Sequence, residues 1–536
     1  MTSVGPEDAG ATAASVDPGD AGAVDPRDAG SSDPGPTPVT PAYRAAPGRQ
    51  HAVRWLSPTE LARTAVVVLK GTIFAQYADK REVMSGVPEH VFAQSVSDED
   101  MVIDYVADIG DGFEATYAVA SSIARAREVV DRPTNVHSLV GAKTPDCACG
   151  DPDEAGRLLV LGGDEVYPYA DVPQYKHRTL SVYRLAAALG RVPADAHALA
   201  IPGNHDWYDG LVAFRRIFCE SWVTSEPLPR YAMSLPPREN LDTFAGAWAT
   251  FQERSYYAVR LPHGWWLWGI DIQLAAPIDA EQLEYFRRAR AHLEDDDRVI
   301  ICTGKPGWTD AADRDDEARH SDRQILAWFV DRMFGNDEAK RRVRLLISGD
   351  KHYYARHSPE RPDASFSPTL ITCGGGGAYL SSTHHLQESI QPFTFDTPGY
   401  VSVPPLSEMP DHDPSRSWSL RERYPTRAQS ENLRRGFWRI PFRNDRLPVL
   451  VAGIYVLLVW FAAVAQSRSA WPSPELLGWK VLDQASSGSA VPLVLTVALL
   501  TGLLTVYAKS TSKMTKKRAW ALGGAHTLGH LVVAYT

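Results

Sequence analysis

Two stretches decide how this chain folds: "RLLVLGGDEVYP" (Arg157–Pro168) and "AHALAIPGNHDW" (Ala196–Trp207). Each is a short apolar run that breaks at Gly and continues into Asp, Asn or His. An apolar run of this length bounded by turn residues reads as a buried strand. The strands are predicted to end at Asp164 and near Asn204.

The same pattern recurs on either side. "MVIDYVADIGDG" is predicted to end a strand at Asp108, "GWWLWGIDIQL" near Asp271 and "RVIICTGKPGW" near Thr303. "RVRLLISGDKHYY" ends at Asp350, and "TLITCGGGGAYL" stops at a run of glycines. Helical patterns such as "TLSVYRLAAAL" and "AEQLEYFRRARAHL" lie between them. Alternation of this kind predicts an α/β domain over residues 100–400. Ligands in open α/β sheets gather outside the carboxyl ends of the strands. Asp108, Asp164, Asn204, His205, Asp350 and His352 all stand at such ends.

These side chains offer hard oxygen and imidazole donors, which suit Mn, Fe, Zn or Mg rather than soft metals. Two ions about 3.5–4 Å apart can hold a phosphate and neutralise charge on its attacking and leaving oxygens. The order D-x-G, G-D-x-x-Y, G-N-H-D, G-D-x-H resembles the calcineurin-like metallophosphoesterase superfamily. Its first two motifs are similar to those of the purple acid phosphatase branch. The match spans residues 100 to 380.

The resemblance implies a four-layer α/β/β/α sandwich that holds two divalent or trivalent ions. It implies that Asp164 bridges them, that Asp108 and His352 hold one and Asn204 the other, and Asp350 is counted as a further ligand. His205 would protonate the leaving oxygen, oriented by Asp206. A metal-activated hydroxide would then hydrolyse a phosphomono- or phosphodiester, carried by a small molecule or a lipid.

The chain departs from that pattern at three positions. Gly110 stands where the family's first motif often has His. Tyr167 is then either a compensating ligand or a wall residue beside Pro168. Gly304 replaces a ligand His in "CTGKP", where Lys305 is either a phosphate contact or a solvated loop cation. His320 is a remote substitute. Asp350 replaces the His that usually opens the last motif. The second metal site is therefore the incomplete one, and a catalytically impaired sensor on the same fold is the alternative. Asp111 competes with Asp108 as the ligand of the first motif. The glycines Gly374–Gly377 read as a phosphate-approaching turn or a plain tight turn. His384 and His385 read as a surface pair.

Composition bounds the rest. A net charge of −10 over 536 residues gives no basic face for nucleic acid. Five cysteines form neither a disulfide framework nor paired zinc spacing, and a reducing compartment is expected. Residues 1–50 are rich in Pro, Ala, Gly and Asp and are expected to be disordered. Residues 51–99 should form a helical lead-in, with a helix over Ser57–Val83, and residues 401–446 a basic linker.

Two uncharged apolar runs follow, Leu447–Ala465 and Ala490–Ala508. Each approaches the ~20 residues that cross a bilayer. A weaker third run covers Ala519–Thr536. Arg and Lys flank the pair on both outer sides, from Arg434 to Arg446 and from Lys509 to Arg518. That asymmetry predicts a multi-pass membrane protein with its α/β domain in the cytoplasm.

Overall fold

A computed structural model describes residues 49–67, 100–125, 156–219, 243–309, 317–391, 417–435 and 516–535, with short gaps, and a few isolated positions between 449 and 505. Two sheets organise the domain. The first has five strands in the order β1-β2-β3-β5-β4: Ile103–Val106, Leu158–Leu161, His197–Ala200, Trp248–Thr250 and Thr243–Phe244. β1, β2 and β3 run parallel, with Ile103 opposite Leu158 and Leu158 opposite His197.

The second sheet has eight strands in the order β12-β13-β10-β11-β9-β8-β7-β6. Its centre is parallel: β7 (Trp265–Ile270), β8 (Arg298–Thr303), β9 (Val343–Ser348) and β11 (Thr369–Cys373). β6 (Tyr257–Leu261), β10 (Tyr354–Pro359), β12 (Ser389–Ile390) and β13 (Trp418–Tyr424) are antiparallel additions.

The period-2 geometry of the strands sorts their apolar side chains into separate layers. Leu158, Val160, Leu199 and Ile201 of the first sheet pack against Tyr257, Val259, Leu267 and Cys302 of the second. Their alternate neighbours face outward. Leu159, Leu161, Ala198 and Ala200 meet helices α1 (Phe113–Ile123) and α2 (Ser181–Leu189). Trp266, Trp268, Val299 and Ile301 meet α4 (Ala280–Ala291) and α5 (Glu317–Phe334) on the far side. A one-turn helix, α3 (Asn204–Trp207), follows β3. The result is helix, sheet, sheet, helix, with the parallel centres of both sheets covered, as parallel strands require. All four residues of "LLVL" in β2 are buried for this reason.

Helix faces follow the same rule. In α1 the buried residues are Phe113, Thr116, Tyr117, Ala120 and Ile123, a stripe at helical spacing. In α4 the Asp279 side chain caps the start by accepting from the Gln282 backbone N–H.

The chain from 418 to 435 corrects the expected linker. β13 pairs with β10 over six positions, and α6 (Arg427–Arg435) returns Ser430 to the Thr383 backbone at 2.8 Å. The domain therefore extends well past residue 400. His384, expected on the surface, also binds Ser430 at 3.0 Å and is half-buried.

Of the helix expected over Ser57–Val83, residues 59–60 and 62–67 are helical, Ser57 is not, and the remainder lies outside the described residues. Most of the two long apolar runs lies outside them as well, as do residues 1–48 and Cys147 and Cys149. The third run is a helix, α7 (Lys516–Tyr535). Among the described residues no helix is long and apolar enough to cross a membrane. α7 carries Lys516, Lys517 and Arg518 at its start, and Thr527 bonds the Gly523 carbonyl at 2.8 Å and Thr501 at 3.0 Å.

His357 on β10 makes the fold sensitive to acid. It is buried, and burial, then the charge of Arg423, pushes its pKa down to about 4 against the pull of Glu388. A folded-state value below the unfolded one means that stability is intact above pH ~6.5 and is lost as pH falls toward 4. At pH 5 this linkage amounts to about 2 kcal/mol. Urea midpoints measured at pH 7 and pH 5 should therefore diverge less in His357→Gln than in the unmodified protein. Equal divergence in both would disprove the assignment.

Candidate metal centre

The loops that leave β1, β2 and β9 converge. Asp108, Asp164 and His352 each present one donor atom, and these atoms lie within 4.8 Å of one another. All three side chains are buried. The Tyr167 hydroxyl stands among them, 3.3 Å from Asp108 Oδ1, 3.2 Å from Asp164 Oδ2 and 2.9 Å from His352 Nε2. Four donors from three separated motifs thus share one point.

The backbone is bent to achieve this. Asp108, Asp164, Asp350 and His352 all have positive φ, between 53° and 69°. Non-glycine residues in this region cost on the order of 1–3 kcal/mol each and cluster at functional sites. Two glycines provide clearance. A Cβ at Gly374 would lie 2.2 Å from Asp108 Oδ2, and one at Gly203 would lie 2.1 Å from Asp164 Oδ1.

The electrostatics call for a cation. Burial, then the charge of Asp350, pushes the Asp108 carboxyl up to about 8. Burial, then Asp108 and Asp206, raises Asp164 well above the usual carboxylate range. Burial, then the charges of Asp108, Asp164 and Asp350, raises the Tyr167 phenol. Asp108 Oδ2 is buried without a hydrogen-bond partner. A buried charge is tolerated when it is paired or coordinates a metal. His352 is pushed down to about 4 by burial, so its ring is neutral near pH 7, as a ligand must be. Two carboxylates, an imidazole and a phenol fit a hard or borderline ion.

The other expected residues divide. Asp108 reaches the cluster, whereas Asp111 accepts the Val53 backbone N–H at 2.7 Å and holds the N-terminal segment. Asp350 stands outside the three-donor group; its backbone N–H donates to Asp108 Oδ1 at 3.1 Å and its carboxylate binds Lys351 Nζ at 3.1 Å. Burial alone would raise its pKa, but Lys351 and Lys305 override this and lower it. Lys305 is therefore close enough to act on the site electrostatically. The Asn204 amide binds the Tyr208 hydroxyl at 2.9 Å.

His205 lies beside the cluster, its ring centroid 4.4 Å from that of Tyr167. Its Nδ1 meets the Pro168 carbonyl at 2.7 Å. A carbonyl only accepts, so Nδ1 carries the proton and Nε2 is left to exchange one. Burial lowers the His205 pKa, against the Pro168 carbonyl and the nearby carboxylates.

Here the expected role of Asp206 is corrected. Its Oδ2 accepts the backbone N–H groups of Gly203 at 2.7 Å, Asp164 at 2.9 Å and Glu165 at 3.4 Å, and its Oδ1 accepts from the Tyr175 hydroxyl. It braces two metal loops from beneath, and Pro168 orients the His205 ring.

The departure at Gly110 also has a cause. Gly110 has φ +78°, and a Cβ there would meet Thr179 Oγ1 at 2.6 Å and the Glu165 carbonyl at 2.8 Å. Gly163 packs so tightly that a Cβ would lie 3.2 Å from the Cα atoms of both Gly203 and Gly304. The glycine run after β11 is structural in part, since Gly374 and Gly376 donate to the Tyr353 and Ala107 carbonyls.

Sequence reasoning missed two participants. Glu165 is buried beside Asp164, with Oε1 on the Gly163 N–H at 3.0 Å. Its signal, an acid directly after "GGD", was visible but has no counterpart in the motif. Trp55, far upstream, contacts Tyr167 and His205 with ring centroids 6.0 Å from each. Nothing in the local sequence marks it.

No protein-family profile and no curated protein matches the chain. Among solved structures, the chain is similar to a purple acid phosphatase, PPD1, from yellow lupin (Lupinus luteus) seeds. The identity is 12%, with 57% of this chain and 48% of that one covered and a TM-score of 0.29. It is also similar to PhoD, at 9% identity, with 53% of this chain and 58% of that one covered and a TM-score of 0.28. The chain thus aligns to about half the length of each of these proteins.

Proposed function

We propose that the chain is a metal-dependent phosphoesterase that hydrolyses a phosphomono- or phosphodiester. The observation that carries this reading is the convergence of Asp108, Asp164, Tyr167 and His352 beside a histidine whose outer nitrogen is free to exchange a proton. An ion held by these four residues would supply Lewis-acid polarisation of a phosphoryl oxygen.

The residues then divide the work. Asp164 and Asp108 would bring negative charge to a bound ion, and Tyr167 and His352 would be its further candidate ligands. His205 Nε2 delivers a proton to the leaving oxygen, while the Pro168 carbonyl keeps Nδ1 protonated and the ring in place. Lys351 and Lys305 set positive charge around Asp350, where the sequence has lost two histidines of the second metal site. They support phosphate binding at that side with a single ion or with a weak second one. The two uncharged apolar runs support membrane attachment with the catalytic domain on the cytoplasmic side.

The Asp350–Lys351 pair also favours a second reading, a phosphate-binding sensor with impaired catalysis. One assay separates the two. The full chain, loaded in turn with Mn, Fe, Zn or Mg, is given p-nitrophenyl phosphate, bis-p-nitrophenyl phosphate and an alkyl phosphate. Hydrolysis is expected with at least one metal. His205→Ala should lower kcat by about 10²–10⁴ on the alkyl ester. It should have a smaller effect on the nitrophenyl esters, whose leaving group needs no proton. Metal and phosphate binding without turnover would establish the sensor instead.

A further inference from the structure

Residues 49–55 lie outside every motif, yet they are pinned across the loop that carries Asp108. The Gln50 carbonyl accepts from the Phe113 N–H at 2.9 Å, and Arg49 pairs with Glu114 at 2.8 Å. The His51 carbonyl accepts from Arg178 at 3.2 Å, and the Val53 N–H donates to Asp111 at 2.7 Å. Gly112 makes room, since a Cβ there would lie 3.0 Å from Ala52. This anchoring delivers Trp55 to the metal centre rather than to a hydrophobic core.

Trp55 is half-buried, and its ring neighbours are site residues. Centroids lie 6.0 Å from Tyr167, 6.0 Å from His205 and 6.5 Å from Tyr379, all edge-on. Tyr379 in turn lies 4.3 Å from His352 and is 57% exposed. Tyr208 lies 4.9 Å from His205 on another side and is half-buried. A polar candidate metal site is thus bordered by three aromatic side chains, each of them partly exposed. Clefts with apolar walls and a few convergent polar groups are where ligands are held.

We propose that Trp55 and Tyr379 form a stacking wall for the leaving group, so that the preferred substrate is a phosphoester bearing a planar ring. This rests on the phosphoesterase reading of the metal centre. With the phosphate over Asp164 and the leaving oxygen at His205, the group beyond that oxygen would lie beside Trp55 and Tyr208, whose ring centroids stand 6.0 and 4.9 Å from that of His205. Stacking of a base or aryl ring on an aromatic side chain is worth about 1–3 kcal/mol, or roughly five- to 150-fold in affinity.

The test is calorimetric titration of the full chain, metal-loaded and carrying His205→Ala to slow turnover. The probes are phenyl phosphate, adenosine 5′-monophosphate and glycerol 3-phosphate. Ring-bearing phosphates are expected to bind at least about fivefold more tightly than glycerol 3-phosphate. Adding Trp55→Ala should abolish that preference and leave glycerol 3-phosphate unchanged. Trp55→Phe should keep most of it, and Tyr379→Ala should reduce it. If Trp55→Ala fails to fold, the latter two variants decide. Comparison of the two ring probes separates a nucleobase from a simple aryl group. Equal affinity for all three phosphates, or an equal loss for all three in Trp55→Ala, would overturn the stacking wall and leave the metal centre standing. Failure of every phosphate to bind with any metal would overturn the phosphoesterase reading and this inference together.

Discussion

Replacing Asp164 by Asn should stabilise the metal-free protein and abolish its response to metal. Asp164 is buried, accepts the His205 N–H at 2.9 Å through Oδ1, and faces Tyr167 through Oδ2. Its folded-state pKa is raised by burial and by Asp108, Asp206 and Asp350. A carboxyl whose pKa is raised by folding costs stability at every pH above its unfolded value of ~3.9. An amide of the same shape removes that cost, so the metal-free melting temperature should rise. Added metal works the other way: it binds the folded state and stabilises it by ~2.7 kcal/mol at 100 times Kd. Partners in the outer shell of a metal already cost 10–100-fold in affinity when lost, so removing a direct ligand should cost at least ~100-fold. Thermal melts of both proteins with and without Mn or Zn measure this directly. An unchanged metal-induced shift in Asp164→Asn would remove Asp164 from the site.

The second large effect concerns Asp206, and it is one of stability. Asp206→Ala would strand the backbone N–H groups of Gly203 and Asp164 and the Tyr175 hydroxyl in a fully buried position. An orphaned buried donor costs about 1–3 kcal/mol, so a total near 5 kcal/mol is expected. Asp206→Asn keeps one acceptor oxygen but turns an amide donor toward donors, and should lose about half as much. Urea unfolding of the metal-free protein reads both. Should Asp206→Ala keep its stability while losing only proton transfer to the leaving group, Asp206 would be acting on His205 after all.

The contrast between these two acids shows what a sequence reveals. Asp108, Asp164 and His352 were legible because parallel strands place their carboxyl ends on one edge, and each of the three follows such an end. Asp206 was misread because an acid next to a His reads the same whether it faces the ring or turns back to brace the loop. Only the path of the chain after Gly203 decides between them. Asp350 was legible in position but not in partner, since Lys351 beside it reads as an exposed cation. β13 was hidden by its charges. "WSLRERY" reads as a linker, yet Glu422 meets Arg356 across the sheet at 2.9 Å, a cross-strand pair that suits a half-exposed strand. Trp55 was hidden by distance.

The metal donors also come from different sheets. Asp108, Asp164 and Tyr167 follow strands of the first, and His352 follows β9 of the second. Ala107 accepts the Gly376 N–H at 2.9 Å and Asp108 the Ala378 N–H at 3.0 Å, which stitches the sheets together at this edge. The contacts that build the centre are far apart along the chain, and such contacts form late because long loops must close first. Half of the domain, folded alone, would hold an incomplete donor set. A nascent chain emerging from the ribosome would therefore assemble the full set of candidate donors only after the second sheet had been synthesised and docked, so any metal would be taken up by the finished fold.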